Sequence, residues 1–319
     1  MHARRSLTVL MALGVALCAT ADDDSAKLHV HLRELALEND TRLTSYRYRY
    51  EASVITGDAE AWAMSVDALR DADLPITHTG YYTRDGERRR SIRHSEDGVG
   101  AAKYAVDILQ FDGRSHRKIS LVGASWEDSP RVTDGRKPPS IEEMSASDQE
   151  RIGRELRRDA YALDNWQTFY GTPVAAFLAD EPGRFPTGEM TNLTVSEEAV
   201  AGERLYRLAA GFSHAEVDSI GEVVLNADRG YRPQSILHEY TGRRTEWLLT
   251  WSQGADGGWY PSHAVYRRQH TPAAPSDKVV SIRVHDFETD IDFDEPEPWR
   301  GGAPNWYDAA QQWLSLAAE

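Results

Sequence analysis

The feature that most constrains this chain is the placement of large apolar side chains at every second position. Tyrosines alternate with charged residues after residue 45, and tryptophan and leucine alternate between residues 247 and 251. Successive side chains of a β-strand point to opposite faces, so each set of three shares one face of a strand. Either the rest of the chain or a bound molecule must cover those faces. The two sets are Tyr46, Tyr48 and Tyr50, and Trp247, Leu249 and Trp251.

Two Asp-Gly pairs predict β-hairpins in the first half of the chain. One lies at Asp85-Gly86 and the other at Asp112-Gly113, each between alternating runs. Asp-Gly is typical of tight hairpin turns, because glycine adopts the positive φ that such turns need. Alternating runs in the second half predict further strands. Those runs are 189–196, 203–210, 217–227, 234–241, 245–252, 259–268 and 278–288.

Apolar residues at helical spacing predict helices in three regions. The first is 26–39 and the second is a short helix over 59–71. Central helices are predicted over 140–180, where Ser147 and Glu150 match a capping box.

Strands, then helices, then strands again favour one sheet completed by both halves of the chain. The predicted fold class is α+β. Its main element is a curved antiparallel sheet, an incomplete β-barrel of about 11 strands, wrapped around a few helices. Residues 22–293 are expected to form this single domain, and residues 294–319 a Pro- and Gly-rich tail with a short helix.

The N-terminal residues resemble a secretory signal. Arg4 and Arg5 precede an apolar run that is too short to span a bilayer, and Ala19 and Ala21 supply the small residues of a cleavage site. We therefore expect residues 1–21 to be removed near Ala21 and the protein to be periplasmic or secreted. The single cysteine, Cys18, lies before that site, so the mature chain is expected to be free of cysteine and disulfides.

Composition and charge exclude some functions. The hydrophobic fraction of 40% suits a globular core, and the formal net charge of −15 disfavours nucleic acid as a partner. The histidines show no zinc-binding spacing, and Ser125 lacks the glycines of a nucleophile elbow. We therefore predict no catalytic residues, no metal and no cofactor. The acidic run 286–298 lacks calcium-loop spacing and is predicted to be a solvated edge strand.

Several stretches in this order resemble a known family. They are "SYRYRYEA", "GTPVAAFLAD", "VVLNADRGYRPQSILHEY" and "GGWYPSHAVYR". The pattern resembles the periplasmic lipoprotein-carrier superfamily, which includes outer-membrane lipoprotein-sorting proteins and related sigma-factor-regulator sensor domains. The resemblance covers most of residues 25–293. It implies a half-open antiparallel barrel around helices that encloses an apolar cavity for acyl chains, and no functional residue of the family is matched by a motif.

The leading hypothesis is an exported, non-enzymatic protein that binds, carries or senses an apolar ligand, either an acyl chain or a lipoprotein. The alternatives are a secreted hydrolase of a glycan or ester, and a structural or interaction domain of the cell envelope without a ligand. The expected partner is a lipid, an acylated protein or an envelope protein. The predicted cavity-lining residues are Tyr46, Tyr48, Tyr50, Trp247, Leu249, Trp251 and Trp259.

Overall fold

The structure is a computed structural model. It describes residues 25–36, 38, 44–95, 104–124, 131–132, 145–157, 163, 189–214, 217–254, 257–274, 277–295, 306 and 308–309. The predicted signal, residues 1–21, lies outside them. The chain divides into two compact units. Unit 1 contains Met1–Thr41 and Gly171–Trp247, and unit 2 contains Arg42–Tyr170 and Leu248–Glu319.

The described residues include thirteen strands, four helices and a short 3₁₀ helix (Ala227–Arg229), and residues 306, 308 and 309 are helical as well. The strands are β1 (Ser45–Thr56), β2 (His78–Asp85), β3 (Arg88–Ser95), β4 (Tyr104–Phe111), β5 (His116–Gly123), β6 (Arg131–Val132), β7 (Glu189–Val200), β8 (Glu203–His214), β9 (Val217–Asn226), β10 (Arg232–Tyr240), β11 (Arg243–Gln253), β12 (Trp259–His270) and β13 (Lys278–Thr289). The helices are α1 (25–36), α2 (Ala59–Ala63), α3 (Val66–Asp71) and α4 (Ala146–Arg157).

Neighbouring strands are hydrogen-bonded in the order β6-β5-β4-β3-β2-β1-β13-β12-β11-β10-β9-β8-β7. The paired strands run antiparallel, for example β1 with β2 and with β13. Because β6 and β7 lie at the two ends of this order, the sheet is not closed. The predicted fold class, α+β with an unclosed antiparallel sheet and few helices, is confirmed. The sheet has 13 strands rather than about 11, counting the two-residue strand β6. None of the helices in the described ranges is long and apolar enough to span a lipid bilayer.

The local predictions are confirmed at the hairpins and corrected at two helices. Gly86 and Gly113 have φ of +59° and +92°, as the predicted turns between β2 and β3 and between β4 and β5 require. The predicted helix 59–71 is two helices, because Ser65 caps a new N-terminus by accepting a hydrogen bond from the Ala68 N–H.

The N-cap of α4 is also corrected. The hydroxyl of Ser145 accepts a hydrogen bond from the Asp148 N–H at 3.1 Å, so Ser145 is the capping residue. Ser147, which was predicted to cap the helix together with Glu150, lies inside α4. The remaining helices predicted within 140–180 lie outside the described residues.

One face of the sheet in unit 2 carries the side chains of Tyr46, Tyr48 and Tyr50, and is called the tyrosine face here. Helix α4 lies against this face. Lys118 belongs to the face by strand register, and its Nζ atom is 2.7 Å from Oε2 of Glu155 in α4. The N–H of Leu163, just beyond α4, donates a hydrogen bond of 2.9 Å to the hydroxyl of Tyr48. The described part of the central helical region therefore covers the tyrosine face.

The opposite face of strands β2–β5 is covered by the C-terminal segment. Trp306, in the segment predicted to be a tail, is completely buried, with 0% exposure. It therefore forms part of the core of unit 2. Helices α2 and α3 cover the same face of the sheet further along, where Leu69 packs with Val265 and Val279. The side chains that pack with Trp306 are Tyr81, Ile92, Val106, Ile108, Ile119 and Leu121.

Two arginines hold the beginning of the C-terminal segment. The guanidinium groups of Arg88 and Arg90 lie 4.7 and 4.6 Å from the ring centroid of Phe293. Arg90 also donates a hydrogen bond of 3.0 Å to the carbonyl of Phe293 and one of 3.0 Å to Oε1 of Gln110. These cation–π contacts and hydrogen bonds provide partners for the buried guanidinium group of Arg90. They also fix the position of Phe293, just after β13.

Unit 1 combines α1 with β7 to β10 and the beginning of β11. Leu32 and Ala36 of α1 are buried, in agreement with the predicted helix. The turn between β9 and β10 is held by Asn226, whose Oδ1 atom accepts a hydrogen bond from the Asp228 N–H, and by Gly230 with φ of +64°. Strand β7 is the edge of this unit, and most of its residues with described burial are exposed.

We expect Trp306→Ala to lower the free energy of unfolding by about 3–5 kcal/mol, because it removes a fully buried indole from the core of unit 2. Asp308→Ala, at an exposed position in the same segment, is the matched control and should change stability by less than about 0.5 kcal/mol. Urea unfolding followed by circular dichroism measures both. Equal stability of the two variants would contradict the assignment of the C-terminal segment to the core.

Candidate functional site

Five aromatic rings meet on the tyrosine face of unit 2 and are called the aromatic cluster. Phe287 is stacked between Tyr46, with ring centroids 5.5 Å apart, and Tyr260, at 4.2 Å. Tyr48 and Tyr82 complete the cluster with ring centroids 5.5 Å apart. Such pairs contribute about 0.5–1.5 kcal/mol each beyond the burial of their area. The cluster joins β1, β2, β12 and β13.

A β-bulge in β13 places Phe287 in this cluster. Arg49 lies opposite His285, but Arg47 lies opposite Glu288, so β13 has one extra residue at this point. The backbone accommodates the extra residue at Asp286, which has a positive φ of +49°. Aspartate tolerates this conformation better than most residues. Without the bulge, strand alternation would place Phe287 on the opposite face of the sheet.

The same bulge directs the acidic side chains of β13 to arginines of β1. Asp286 accepts a hydrogen bond from Arg49 Nε at 3.1 Å, and Glu288 accepts one from Arg47 Nη2 at 2.6 Å. The predicted edge position of this acidic run is therefore wrong, although Asp286 and Glu288 are exposed to solvent, as predicted. Strand β13 lies between β1 and β12, and its carboxylates pair with the alternating arginines of β1.

Tyr50 lies opposite Gly80 of β2, a residue that has no side chain. Its hydroxyl donates a hydrogen bond of 3.3 Å to the carbonyl of Ile92 in β3. A Cβ atom at Gly80 would lie 2.5 Å from the Tyr50 hydroxyl oxygen and 2.0 Å from the Ile92 carbonyl oxygen. Glycine at position 80 therefore makes room for the ring of Tyr50.

The cluster has a buried part and an accessible edge. Tyr46, Tyr48 and Tyr82 are at most 1% exposed, so they pack against other protein atoms. Tyr260 and Phe287 are only half-buried. The stacked pair of Tyr260 and Phe287 is therefore the part of the cluster that another molecule can reach.

The other predicted lining residues in the second half of the chain lie on β11 and β12. Leu249 and Trp251 are buried in unit 2, at 3% and 4% exposure. Trp247 is buried in unit 1 and shares one face of β11 with them. Trp259 is half-buried, and as the strand neighbour of Tyr260 it points to the face opposite the aromatic cluster.

Three members of the cluster lie outside the predicted lining residues. Tyr82 lies in the alternating run of the first hairpin, but its position opposite Tyr48 depends on the register of β1 with β2, which the sequence does not fix. Tyr260 is the strand neighbour of the predicted Trp259, and alternation within one strand does not tell which of the two faces is covered. Phe287 gave no usable signal, because the bulge reverses its expected face.

Beyond the rings, β3, β4 and β5 place a polar group on the tyrosine face. Asp107 accepts hydrogen bonds of 2.6 Å each from Arg93 and from the hydroxyl of Ser120. Burial raises the pKa of Asp107, but these hydrogen bonds and the charge of Arg93 outweigh burial and hold the pKa below its usual value. Asp107 is therefore an ionised carboxylate whose partners are supplied by its own sheet.

A serine and a histidine lie in hydrogen-bonding contact on the opposite face. The hydroxyl of Ser281 is 2.9 Å from Nε2 of His263, but their residues are only 3% and 1% exposed. Burial, helped by the charge of Arg283, lowers the pKa of His263 to about 4. A substrate cannot reach this pair, so its geometry does not favour a hydrolase. In the part of the chain that the structure describes, no three His, Cys, Asp or Glu side chains are grouped as metal ligands.

Comparison with known proteins gives only distant similarities. No protein-family model matches the chain, and no curated protein matches it. Among solved structures, the chain is similar to a LolA superfamily protein from Nitrosomonas europaea, with 12% identity and a TM-score of 0.35, over 84% of this chain and 94% of that one. It is also similar to the MucA/MucB complex of Pseudomonas aeruginosa, with 11% identity and a TM-score of 0.18, over 82% of this chain and 100% of that one. These similarities do not assign the chain to a family.

We expect Asp286→Val to lower the free energy of unfolding by about 1–3 kcal/mol, because a β-branched residue is strained at the positive φ of the bulge. Asp286→Asn is the matched control. It tolerates that conformation and loses the half-exposed ion pair with Arg49, so its cost should stay below about 1 kcal/mol. Urea unfolding measures both variants, and equal losses would contradict a role for the backbone conformation of Asp286.

Stability should depend on pH through His263. Its pKa is about 4 in the folded chain against 6.5 ordinarily, so the unfolded state binds the proton more tightly. Its contribution is complete above pH 6.5 and is lost as the pH falls from 6.5 towards 4.

The difference in unfolding free energy between the unmodified protein and His263→Gln should therefore narrow by about 2–3 kcal/mol between neutral pH and pH 4. Urea unfolding at a series of pH values measures this difference. His94 and His238, whose pKa values burial also lowers, are present in both proteins and cancel. A difference that stays constant with pH would contradict the buried, neutral state of His263.

Proposed function

We propose that this protein binds an apolar chain along the tyrosine face of unit 2 and catalyses no reaction. The ligand class is an acyl chain, either of a lipid or of an acylated protein. The observation that carries the proposal is the stacked pair of Tyr260 and Phe287, whose half-exposed rings border an aromatic cluster that is otherwise buried.

The physical basis is the burial of methylene groups against aromatic surface. Each methylene removed from water contributes about 0.8 kcal/mol, so even a short acyl chain supplies useful affinity without directional contacts. Binding sites for small apolar molecules are typically lined by aromatic and aliphatic side chains on a largely preformed scaffold. Here the buried rings of Tyr46 and Tyr48 hold Phe287 in place, and Tyr82 packs against Tyr48.

In this proposal, the other predicted lining residues support the site. Tyr50, Leu249 and Trp251 are buried side chains of the same unit, on β1 and β11, which flank the two strands that carry the accessible pair. Trp247 belongs to unit 1 and is buried there. The proposal also includes export of the protein through the predicted signal at residues 1–21. It further includes transfer of the ligand to or from an envelope partner.

Displacement of a fluorescent fatty acid from the full chain tests the proposal. Tyr260→Ala removes half of the accessible pair, so we expect the affinity for the fatty acid to fall about five- to tenfold, as loss of one well-packed contact of about 1–1.4 kcal/mol predicts. Trp259→Ala is the matched control, because it removes a larger ring from the same strand but on the other face. It should leave the affinity within about twofold.

Absence of saturable binding by the unmodified protein would refute the proposal. An equal loss in the two variants would place the ligand elsewhere. Mass spectrometry of the molecules that co-purify with the folded protein would then identify the acyl class directly.

A further inference from the structure

A row of five side chains crosses the tyrosine face at one end of strands β1–β5. Strand register places Tyr46 opposite Arg84, Arg84 opposite Arg89, Arg89 opposite Phe111, and Phe111 opposite His116. Residues that face each other across neighbouring strands share one face of the sheet. Two arginines therefore lie side by side in the middle of this row.

Like charges directly opposite each other destabilise an antiparallel pair, so this arrangement requires a reason. Neighbouring arginines of these hairpins have carboxylate partners, as Arg93 has Asp107 at 2.6 Å and Arg117 has Asp112 at 2.9 Å. Within the described ranges, Arg89 is paired with no carboxylate, and its buried Nε atom has no hydrogen-bond partner. A chain with a formal net charge of −15 thus keeps an uncompensated guanidinium on the face that carries its aromatic cluster.

The surroundings of the arginine pair are aromatic on both sides. Tyr46, a buried member of the aromatic cluster, flanks Arg84. Phe111 and His116, whose rings are stacked with centroids 4.5 Å apart, flank Arg89. Arg84 is oriented at the hairpin turn by a hydrogen bond of 3.2 Å from its Nε atom to the carbonyl of Gly86. The row therefore presents two cationic groups next to the apolar surface of the candidate site.

We propose that Arg84 and Arg89 bind the anionic head group of an amphiphile whose chain lies on the aromatic cluster, which rests on the proposed function above. The head group is a phosphate or a carboxylate, because the planar guanidinium donates two parallel hydrogen bonds to either. A bound anion would offset the repulsion between the two arginines and give the buried Nε of Arg89 an acceptor. The proposal thus narrows the ligand from any acyl chain to an anionic amphiphile.

The test compares three probes on the full chain by displacement of a fluorescent fatty acid and by calorimetry. Dodecyl phosphate and 1-dodecanol, both below their aggregation limits, share one chain and differ in head-group charge, and inorganic phosphate carries the charge without the chain. We expect dodecyl phosphate to bind about tenfold more tightly than 1-dodecanol. Arg89→Gln should abolish most of that difference, and Arg89→Lys, which keeps the charge but not the planar fork, should keep part of it.

Arg204→Gln is the matched control, because it removes one exposed positive charge from unit 1 and should leave the tenfold preference unchanged. Thermal unfolding without ligand supplies a second readout. Arg89→Gln should unfold at the same or a higher temperature than the unmodified protein, since it removes a like-charge pair. A clearly lower unfolding temperature would assign Arg89 a structural role and overturn the proposal.

The remaining outcomes separate this inference from the proposed function. Equal affinity for the two dodecyl probes would overturn the head-group site and leave the acyl-binding function standing. Binding of inorganic phosphate as tight as that of dodecyl phosphate would assign the arginines to a free anion and overturn the amphiphile. Failure of both dodecyl probes to bind would overturn both proposals.

Discussion

The bulge at Asp286 is the constraint on which the tyrosine face of unit 2 depends. One extra residue in β13 reverses the alternation of the strand, so that Phe287 joins the tyrosines and Glu288 turns to Arg47 on the opposite face. Because side chains alternate with a period of two, a shift by one residue exchanges the two faces for everything that follows. The bulge thus creates the aromatic cluster and the ion pairs of the other face at once.

Alternation also gives the arginine run 88–90 two separate roles. Arg88 and Arg90 point to one face, where they hold the ring of Phe293 and fix the start of the C-terminal segment. Arg89 points to the tyrosine face, beside Arg84. A run that looks like a uniform basic patch in the sequence is therefore divided between a structural contact and the proposed head-group site.

Both faces of the sheet in unit 2 are covered, by parts of the chain that are distant in sequence. Helix α4 and Leu163 lie on the tyrosine face, and the segment around Trp306 lies on the other. This cover buries most of the aromatic cluster and leaves the pair of Tyr260 and Phe287 accessible. The proposed ligand would therefore meet a narrow, preformed aromatic edge rather than a face made entirely of tyrosine and tryptophan.

The sequence by itself determined the strands, the two Asp-Gly hairpins, helix α1 and the shared face of Tyr46, Tyr48 and Tyr50, because these follow from periodicity and turn chemistry within a few residues. Only the tertiary structure decided the place of β13 inside the sheet, the face of Phe287, the burial of Trp306 and the pairing of Arg84 with Arg89. These depend on register and on contacts between residues far apart in the chain. Local patterns carry no information on which strand becomes a neighbour or where one residue is inserted.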